Sequence, residues 1–156
     1  MYAIRHMTKE GNDFRPARDF LSRARCLEAE IESKIRQLKN MRELSLSIRS
    51  FLRDEPVVSH SAGNPLENSV VRIVDAEAEL DRQVHELLKV REEILKVLEQ
   101  VPEQECRLAL EKKYLEYENY DQIAEDCRCS RRWAICLHKR GLELVQRILE
   151  RNACTA

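Results

Sequence analysis

Helix-breaking and aromatic residues are scarce in this sequence. Its 156 residues include 3 glycines and 4 prolines, and aromatic side chains make up 5% of the chain. Glycine and proline mark turns and interrupt helices, so their scarcity argues against a fold of many short strands and tight turns. Charged residues, by contrast, make up 35%. Together with abundant leucine, glutamate, lysine and arginine, this composition predicts an all-α protein with long helices.

A long apolar segment is also missing. No run approaches the roughly 18 consecutive apolar residues that a membrane-spanning helix needs. The start, Met-Tyr-Ala-Ile-Arg-His, does not have the apolar core of a secretory signal. We therefore expect a cytoplasmic protein with no membrane partner, whose six cysteines are free thiols.

Patterns that carry catalysis are absent as well. We find no nucleophile paired with a base, no glycine-rich phosphate loop and no pair of catalytic carboxylates, so we expect no enzyme and no cofactor. Cys127-x-Cys129 and Cys136-x-His138 raise the possibility of a zinc site. However, the first two cysteines occupy apolar positions of the motif described below, and residues two apart on a helix point in different directions. We therefore expect no metal site.

The charge is unevenly distributed along the chain. The net charge is −1 overall, yet residues 128–151 contain seven basic and two acidic residues, a net +5, which leaves −6 for the remainder. A basic segment on an acidic body suggests a local surface for a polyanion.

Apolar residues recur at alternating steps of four and three in two long segments. Eight of ten such positions from Phe20 to Leu52 are apolar, as are nine of eleven from Leu66 to Val101. This spacing is typical of helices that pair in a coiled coil. A loop near 53–65, with Pro56 and Gly63, separates the segments.

Two such helices hide their apolar stripes by folding back on each other. Residues 16–101 are therefore predicted to form a long antiparallel helical hairpin (coiled coil), preceded by a flexible N-terminal arm at 1–15. Several large apolar residues lie outside the stripe, and a two-helix hairpin cannot cover them: Leu44, Phe51, Val74, Leu88 and Leu95. Either the C-terminal helices or a second copy of the chain must cover these residues. We favour a homodimer through the hairpin.

Residues 102–151 have the outline of a C-terminal helix-turn-helix domain, followed by a tail at 152–156. Three helices are predicted, at 103–118, 120–127 and 131–151. Asn119 and Ser130 are the expected N-caps of the last two. A short helix, a tight turn and a longer capped helix are the elements of this DNA-binding motif.

The last of these helices presents the candidate DNA-binding residues. Arginine in its first turn can bond guanine in the major groove, while later basic residues lie nearer phosphates. The residues expected to contact double-stranded DNA are Arg128, Ser130, Arg131, Arg132, Ile135, Cys136, Lys139 and Arg140. Trp133 fits packing better than base stacking. Arg128 occupies a turn position where glycine is usual, and a left-handed backbone there would cost about 1 kcal/mol.

The C-terminal half resembles region four of bacterial sigma factors. The residues that carry the resemblance are Tyr120-Asp121-Gln122-Ile123-Ala124, Cys129-Ser130-Arg131-Arg132-Trp133-Ala134 and Leu137-His138-Lys139-Arg140-Gly141-Leu142. With the preceding hairpin, the chain looks like phage-encoded sigma-like regulators of the ArpU and RinA kind. The resemblance implies a phage or prophage transcriptional regulator, with a hairpin that contacts RNA polymerase as a further expectation. It also gives Ser130, Arg131, Arg132, Ile135, Cys136 and Lys139 the promoter-reading positions.

Two departures and two alternatives accompany this interpretation. Gly141 stands where alanine is common and Ala134 where valine is common. The promoter-melting regions of a complete sigma factor are missing, which favours an activator or partial sigma role. One alternative is a small-terminase-like packaging subunit, although such proteins usually place the DNA domain first. The other is a helical interaction module that does not bind DNA.

Overall fold

The computed structural model describes residues 14–54 and 65–155. Within these ranges the chain is all-α, as predicted, with five helices and no strand: α1 Arg15–Asp54, α2 Pro65–Leu98, α3 Gln104–Tyr114, α4 Tyr120–Asp126 and α5 Arg131–Thr155. In the described part, no helix is both long and apolar enough to cross a membrane.

Helix α1 runs slightly further than the loop predicted near 53–65 implied, whereas α2 begins at Pro65, the first helical position that the sequence indicated. Helix α1 continues to Asp54 and α2 begins at Pro65, so both ends of that segment are helical. Its middle, residues 55–64, and most of the N-terminal arm, residues 1–13, lie outside the described residues. The arm prediction is wrong at Arg15, which already belongs to α1.

Two further helix ends differ from their predicted positions. Helix α2 ends at Leu98 rather than 101, and the Val101 N–H donates to the Leu98 carbonyl at 3.0 Å in a closing turn. Pro102 opposes continuation of the helix, because it has no N–H to bond the Leu98 carbonyl four residues earlier and disfavours helical geometry at Val101. Helix α5 reaches Thr155 rather than 151 because no glycine or proline interrupts it, so the predicted tail is helical up to that residue.

The chain divides into two compact units, one made of Met1–Ser22 and Lys96–Ala156, the other of Arg23–Leu95. Both long helices therefore pass from one unit into the other. The boundary predicted at 101/102 lies further along the chain than the observed division in α2.

In the unit Arg23–Leu95, ion pairs join α1 to α2. Arg23 bonds Glu93 at 2.9 Å and Lys34 bonds Glu79 at 3.3 Å, and two more pairs lie along the same stretch: Glu28 with Arg91 and Arg42 with Glu77. Partners that ascend along α1 descend along α2, so the two helices run in opposite directions here. Such pairs at the surface add little stability each but penalise a shifted register.

The buried residues of α1 in this unit follow a seven-residue repeat. Ala24, Ile31, Leu38 and Ser45 are buried, and all four belong to the predicted stripe. Its intervening positions Leu27, Lys34 and Met41 are only half-buried. The predicted stripe therefore follows the covered side of α1, and every second member is the more deeply buried.

The other unit has its core where α3, α4 and α5 meet the start of α1. Ala17 and Leu21 of α1 are fully buried, and the Ala17 N–H donates to the side-chain oxygen of Gln146 on α5 at 3.1 Å. That bond satisfies one of the N–H groups that the first turn of a helix leaves unpaired. No feature of the sequence indicated that α1 belongs to this core.

Candidate nucleic-acid interface

Helix α4 begins with the capping arrangement expected from its sequence. The Asn119 side-chain oxygen accepts hydrogen bonds from the backbone N–H of Asp121 at 2.9 Å and of Gln122 at 3.0 Å. In return, the Gln122 side chain accepts from the Asn119 N–H at 2.9 Å. This reciprocal pair confirms Asn119 as the N-cap and fixes the first turn of a short helix.

The turn between α4 and α5 is closed by two backbone hydrogen bonds. The Cys129 N–H donates to the Ala124 carbonyl at 2.8 Å, and the Arg128 N–H donates to the Glu125 carbonyl at 3.1 Å. These are the two bonds of a Schellman motif. Arg128 has φ 52°, the left-handed conformation that glycine usually supplies at this position. The structure therefore places a left-handed, non-glycine residue at the turn position that the sequence singled out.

Ser130 caps the start of α5. Its hydroxyl oxygen accepts from the Trp133 N–H at 3.2 Å, and its carbonyl accepts from the Ala134 N–H at 2.9 Å. The hydroxyl proton remains able to donate outward. A positive helix terminus with an outward donor suits a phosphate oxygen.

One side of α5 packs against α3 and α4, and the other faces solvent. The buried residues are Ala134, Leu137, His138, Gly141, Leu142, Val145 and Ile148. A Cβ atom on Gly141 would lie 2.8 Å from Cδ1 and 2.9 Å from Cγ of Leu110, so α3 and α5 can approach this closely only because the residue is glycine. Position 141, where alanine is common in the proteins that the sequence resembles, is therefore a close contact between α3 and α5.

Seven of the eight predicted DNA-binding residues are exposed: Arg128, Ser130, Arg131, Arg132, Cys136, Lys139 and Arg140. Ile135 is half-buried. Within the group, Arg132, Cys136 and Lys139 recur at helical spacing on the side of α5 opposite its buried residues. The structure thus brings these residues to one accessible face.

Arg131 lies beside an acidic residue of α4. Its Nε is 3.5 Å from Oδ1 of Asp121, and the two side chains are 65% and 70% exposed. An ion pair this open to water contributes little stability. The arginine can therefore exchange the carboxylate for a phosphate or a base edge.

Arg140 has a different environment from the one expected. Its guanidinium bonds both carboxylate oxygens of Glu103, with Nε–Oε2 and Nη2–Oε1 distances of 2.5 Å. The hydrogen bond from Arg140 lowers the pKa of the Glu103 carboxyl below its ordinary value. Because Glu103 is the N-cap residue of α3, this pair links α5 to α3. The guanidinium is accessible, but it already has a carboxylate partner.

His138 is buried between two tyrosines. Its Nε2 is 3.1 Å from the Tyr114 hydroxyl and its Nδ1 is 3.2 Å from the Tyr120 hydroxyl. Burial, reinforced by the positive charges of Lys113, Arg18 and Lys139, lowers the pKa of His138 to about 4. The imidazole is therefore neutral at physiological pH and joins α3, α4 and α5.

The connection between α3 and α4 is organised by Lys112. Its ammonium bonds the Asp126 carboxylate, Glu116 at 3.3 Å and Glu118 at 3.4 Å, and the bond to Asp126 is the main cause of its raised pKa. The chain also leaves helical geometry at Tyr117, where φ is 61°. These features explain why α3 ends at Tyr114 and not at 118, as the sequence predicted.

Trp133 contradicts the packing interpretation favoured from the sequence. Trp133 lies in the first turn of α5 and is 52% exposed. The apolar positions of that turn are already taken by Ala134 and Leu137, which are buried. The indole is therefore accessible to solvent.

Comparisons with known proteins identify no relatives. No family model matches the sequence, and neither the curated proteins nor the solved structures provide a significant match.

Proposed function

We propose that this chain is a DNA-binding transcriptional regulator that reads duplex DNA with the start of α5. In this proposal α4, the Schellman turn and α5 form a sigma region four-like helix-turn-helix, and α1 and α2 form an antiparallel coiled-coil hairpin. The phage-type regulators that the sequence resembles combine the same two parts.

The observation that carries the proposal is the exposed basic first turn of a rigidly held helix. Ser130 caps α5, Arg131 and Arg132 follow directly and are exposed, and the buried side of α5 anchors it on α3 and α4. In helix-turn-helix proteins the second helix is packed on one side in this way, and its N-terminal residues contact base edges in the major groove. Lys139, two turns further on, is also exposed and is available for the phosphate backbone.

The roles of the individual residues follow from their chemistry. A guanidinium can donate two parallel hydrogen bonds to O6 and N7 of guanine, which makes Arg131 and Arg132 the base-reading candidates. The Ser130 hydroxyl and Lys139 are phosphate contacts, which position the helix without reading sequence. Arg128, exposed on the left-handed turn, would add a third phosphate contact next to the start of α5.

Fluorescence anisotropy with a labelled random-sequence duplex tests DNA binding. The full chain should bind at about 50 mM salt and lose affinity steeply by about 200 mM, because each phosphate contact releases counterions. Replacing both Arg131 and Arg132 with alanine should weaken binding. On a random sequence these arginines contact phosphates rather than a matched guanine, so the slope of log K against log salt should also fall by roughly one for each phosphate that the variant no longer neutralises.

A matched control removes the same charge elsewhere. Arg36 and Lys39 are exposed on α1, so the double alanine variant at these positions should bind DNA like the unchanged chain. If both double variants lose the same affinity, the loss reflects net charge alone, and the assignment of the DNA-binding surface to α5 is refuted. Absence of binding at low salt would favour the helical interaction module.

The regulatory role requires a second experiment. Selection of bound sequences from a random duplex library should enrich a motif, and the Arg131 and Arg132 variant should lose preference at guanine positions. Addition of bacterial RNA polymerase to the selected duplex should give a ternary complex if the hairpin contacts the enzyme. Enrichment without a polymerase complex would favour the packaging subunit.

A further inference from the structure

Helix α2 has a second stripe of residues that α1 does not cover. The positions recur at steps of three and four, and all of them are exposed: Val71, Val74, Ala78, Asp81, His85, Leu88, Glu92 and Leu95. We call these eight residues the outer stripe. Five of the eight are apolar, and the steps are those of a coiled-coil seam.

The apolar members of the outer stripe are large and open to water. Val71 is 54% exposed, Val74 56%, Leu88 59% and Leu95 40%. Scattered surface apolar residues are ordinary, but an aligned series with coiled-coil spacing along a helix marks an interaction surface. The outer stripe is therefore suited to a second helix of the same kind.

We propose that the outer stripe pairs with the outer stripe of a second copy of this chain, with the two α2 helices antiparallel. The two-fold axis passes between positions 81 and 85, so that residues equally distant from it face each other. Asp81 then faces His85 of the second copy. Val71 faces Leu95 of the second copy, and Ala78 faces Leu88 of the second copy.

The polar residues favour this orientation over a parallel one. Parallel α2 helices in register would place Asp81 against Asp81 and Glu92 against Glu92, and like charges in a seam are strongly unfavourable. The antiparallel register replaces the first of these pairs with a carboxylate beside an imidazole. It also places Asp75 near Lys89 of the second copy at the edge of the seam. Arg82 lies near Arg82 of the second copy at the same edge, where each arginine is paired with Glu79 of its own helix. Glu92 faces Val74 of the second copy, where its aliphatic stem can lie along the apolar surface while its carboxylate reaches water.

The arrangement is self-complementary, as a two-fold dimer requires. Each pairing occurs twice, once on either side of the axis, and the same residues serve both chains. The proposal names the surface and register of the homodimer that the sequence suggested, and it does not depend on DNA binding.

Sedimentation equilibrium of the full chain over a wide concentration range tests the dimer. The unchanged chain should show a monomer–dimer equilibrium. Leu88→Glu should raise the dimer dissociation constant roughly thirtyfold or more, because it places a charge at a buried apolar position of the seam. The matched control is Leu44→Glu, since Leu44 is 64% exposed on α1 and not part of the outer stripe. It should leave the dissociation constant unchanged, and far-ultraviolet circular dichroism should report equal helix content in both variants.

Charge exchange tests the orientation. His85→Asp should weaken the dimer by setting Asp81 against an aspartate of the second copy on both sides of the axis. Adding Asp81→Lys should restore it, since each lysine then faces an aspartate. In a parallel dimer, lysine would face lysine and aspartate would face aspartate, so failure of the second substitution to rescue overturns the register. A strictly monomeric chain, or a dimer weakened by Leu44→Glu as much as by Leu88→Glu, overturns the proposal.

Discussion

Replacing Arg128 with glycine should stabilise the protein even though it removes a proposed DNA contact. Arg128 closes the Schellman turn with φ 52°, a conformation in which a side chain crowds its own backbone. Both hydrogen bonds of the turn use backbone groups, so they survive the substitution. Because the side chain is exposed, its removal takes no packing from the core.

The magnitude follows from two opposing effects. A left-handed non-glycine residue costs about 1–2 kcal/mol, which glycine relieves. Glycine also makes the unfolded chain more flexible, at a cost of about 0.4–1 kcal/mol. The net gain should be about 0.5–1 kcal/mol, which for a chain of this size raises the melting temperature by about 2 °C.

Urea unfolding followed by circular dichroism can measure this gain. The comparison variant is Arg128→Ala, which removes the same charge but keeps the strain, and it should not be stabilised. Both variants should weaken duplex binding equally, since both lack the cation. If the glycine variant is no more stable than the alanine variant, the strain argument is refuted.

Three further predictions follow from the site. Gly141→Ala should lower the free energy of unfolding by about 1–3 kcal/mol, because the added methyl group overlaps Leu110 and outweighs the better helix propensity of alanine. The free energy of unfolding should fall by at most about 3 kcal/mol as pH drops from about 6.5 to about 4, because in this range His138 is protonated mainly in the unfolded chain. Asp121→Asn should raise duplex affinity about two- to fivefold by releasing Arg131.

Each of these predictions has its own control. The Gly141→Ala, Leu110→Ala double variant should lose less free energy of unfolding than the two single variants lose in sum, because the added methyl group no longer overlaps a leucine. The His138→Gln variant should lose the imidazole's share of the acid sensitivity, so an unchanged pH profile would contradict the assignment. Asp19→Asn alters another exposed acid, on α1, and should leave duplex affinity near that of the unchanged chain.

Local sequence features predicted the elements of the interface well. Asn119 and Ser130 cap helices through bonds that span three residues or fewer, so the information lies within a short segment. The burial of Ala24, Ile31 and Leu38 follows equally from a seven-residue repeat. The composition alone was sufficient for the all-α class.

Contacts between distant segments could not be predicted in the same way. The bond between Arg140 and Glu103 joins residues 37 positions apart, and neither residue differs from an ordinary surface charge in sequence. The end of α3 at Tyr114 has no glycine or proline to mark it, because Lys112 and its carboxylate partners shape the following turn. Both features depend on contacts between side chains that come together only when the chain is folded.

His138 is a case in which a usable pattern was present. It lies four residues after Ala134 and three before Gly141, both on the buried side of α5. Helical spacing therefore placed an imidazole in the core. Its partners, Tyr114 and Tyr120, could be recognised only once three helices were packed together.

The composition of the unit that holds α5 has a consequence for biosynthesis. Its core uses Ala17 and Leu21 from near the start of the chain and Val145 and Ile148 from near the end, with Arg23–Leu95 in a separate unit between them. The ribosome exposes Ala17 and Leu21 early, but their packing partners Val145 and Ile148 emerge only after the whole intervening segment. In nascent chains arrested before Val145, residues 15–22 at the start of α1 should thus be sensitive to protease while the unit Arg23–Leu95 is already protected.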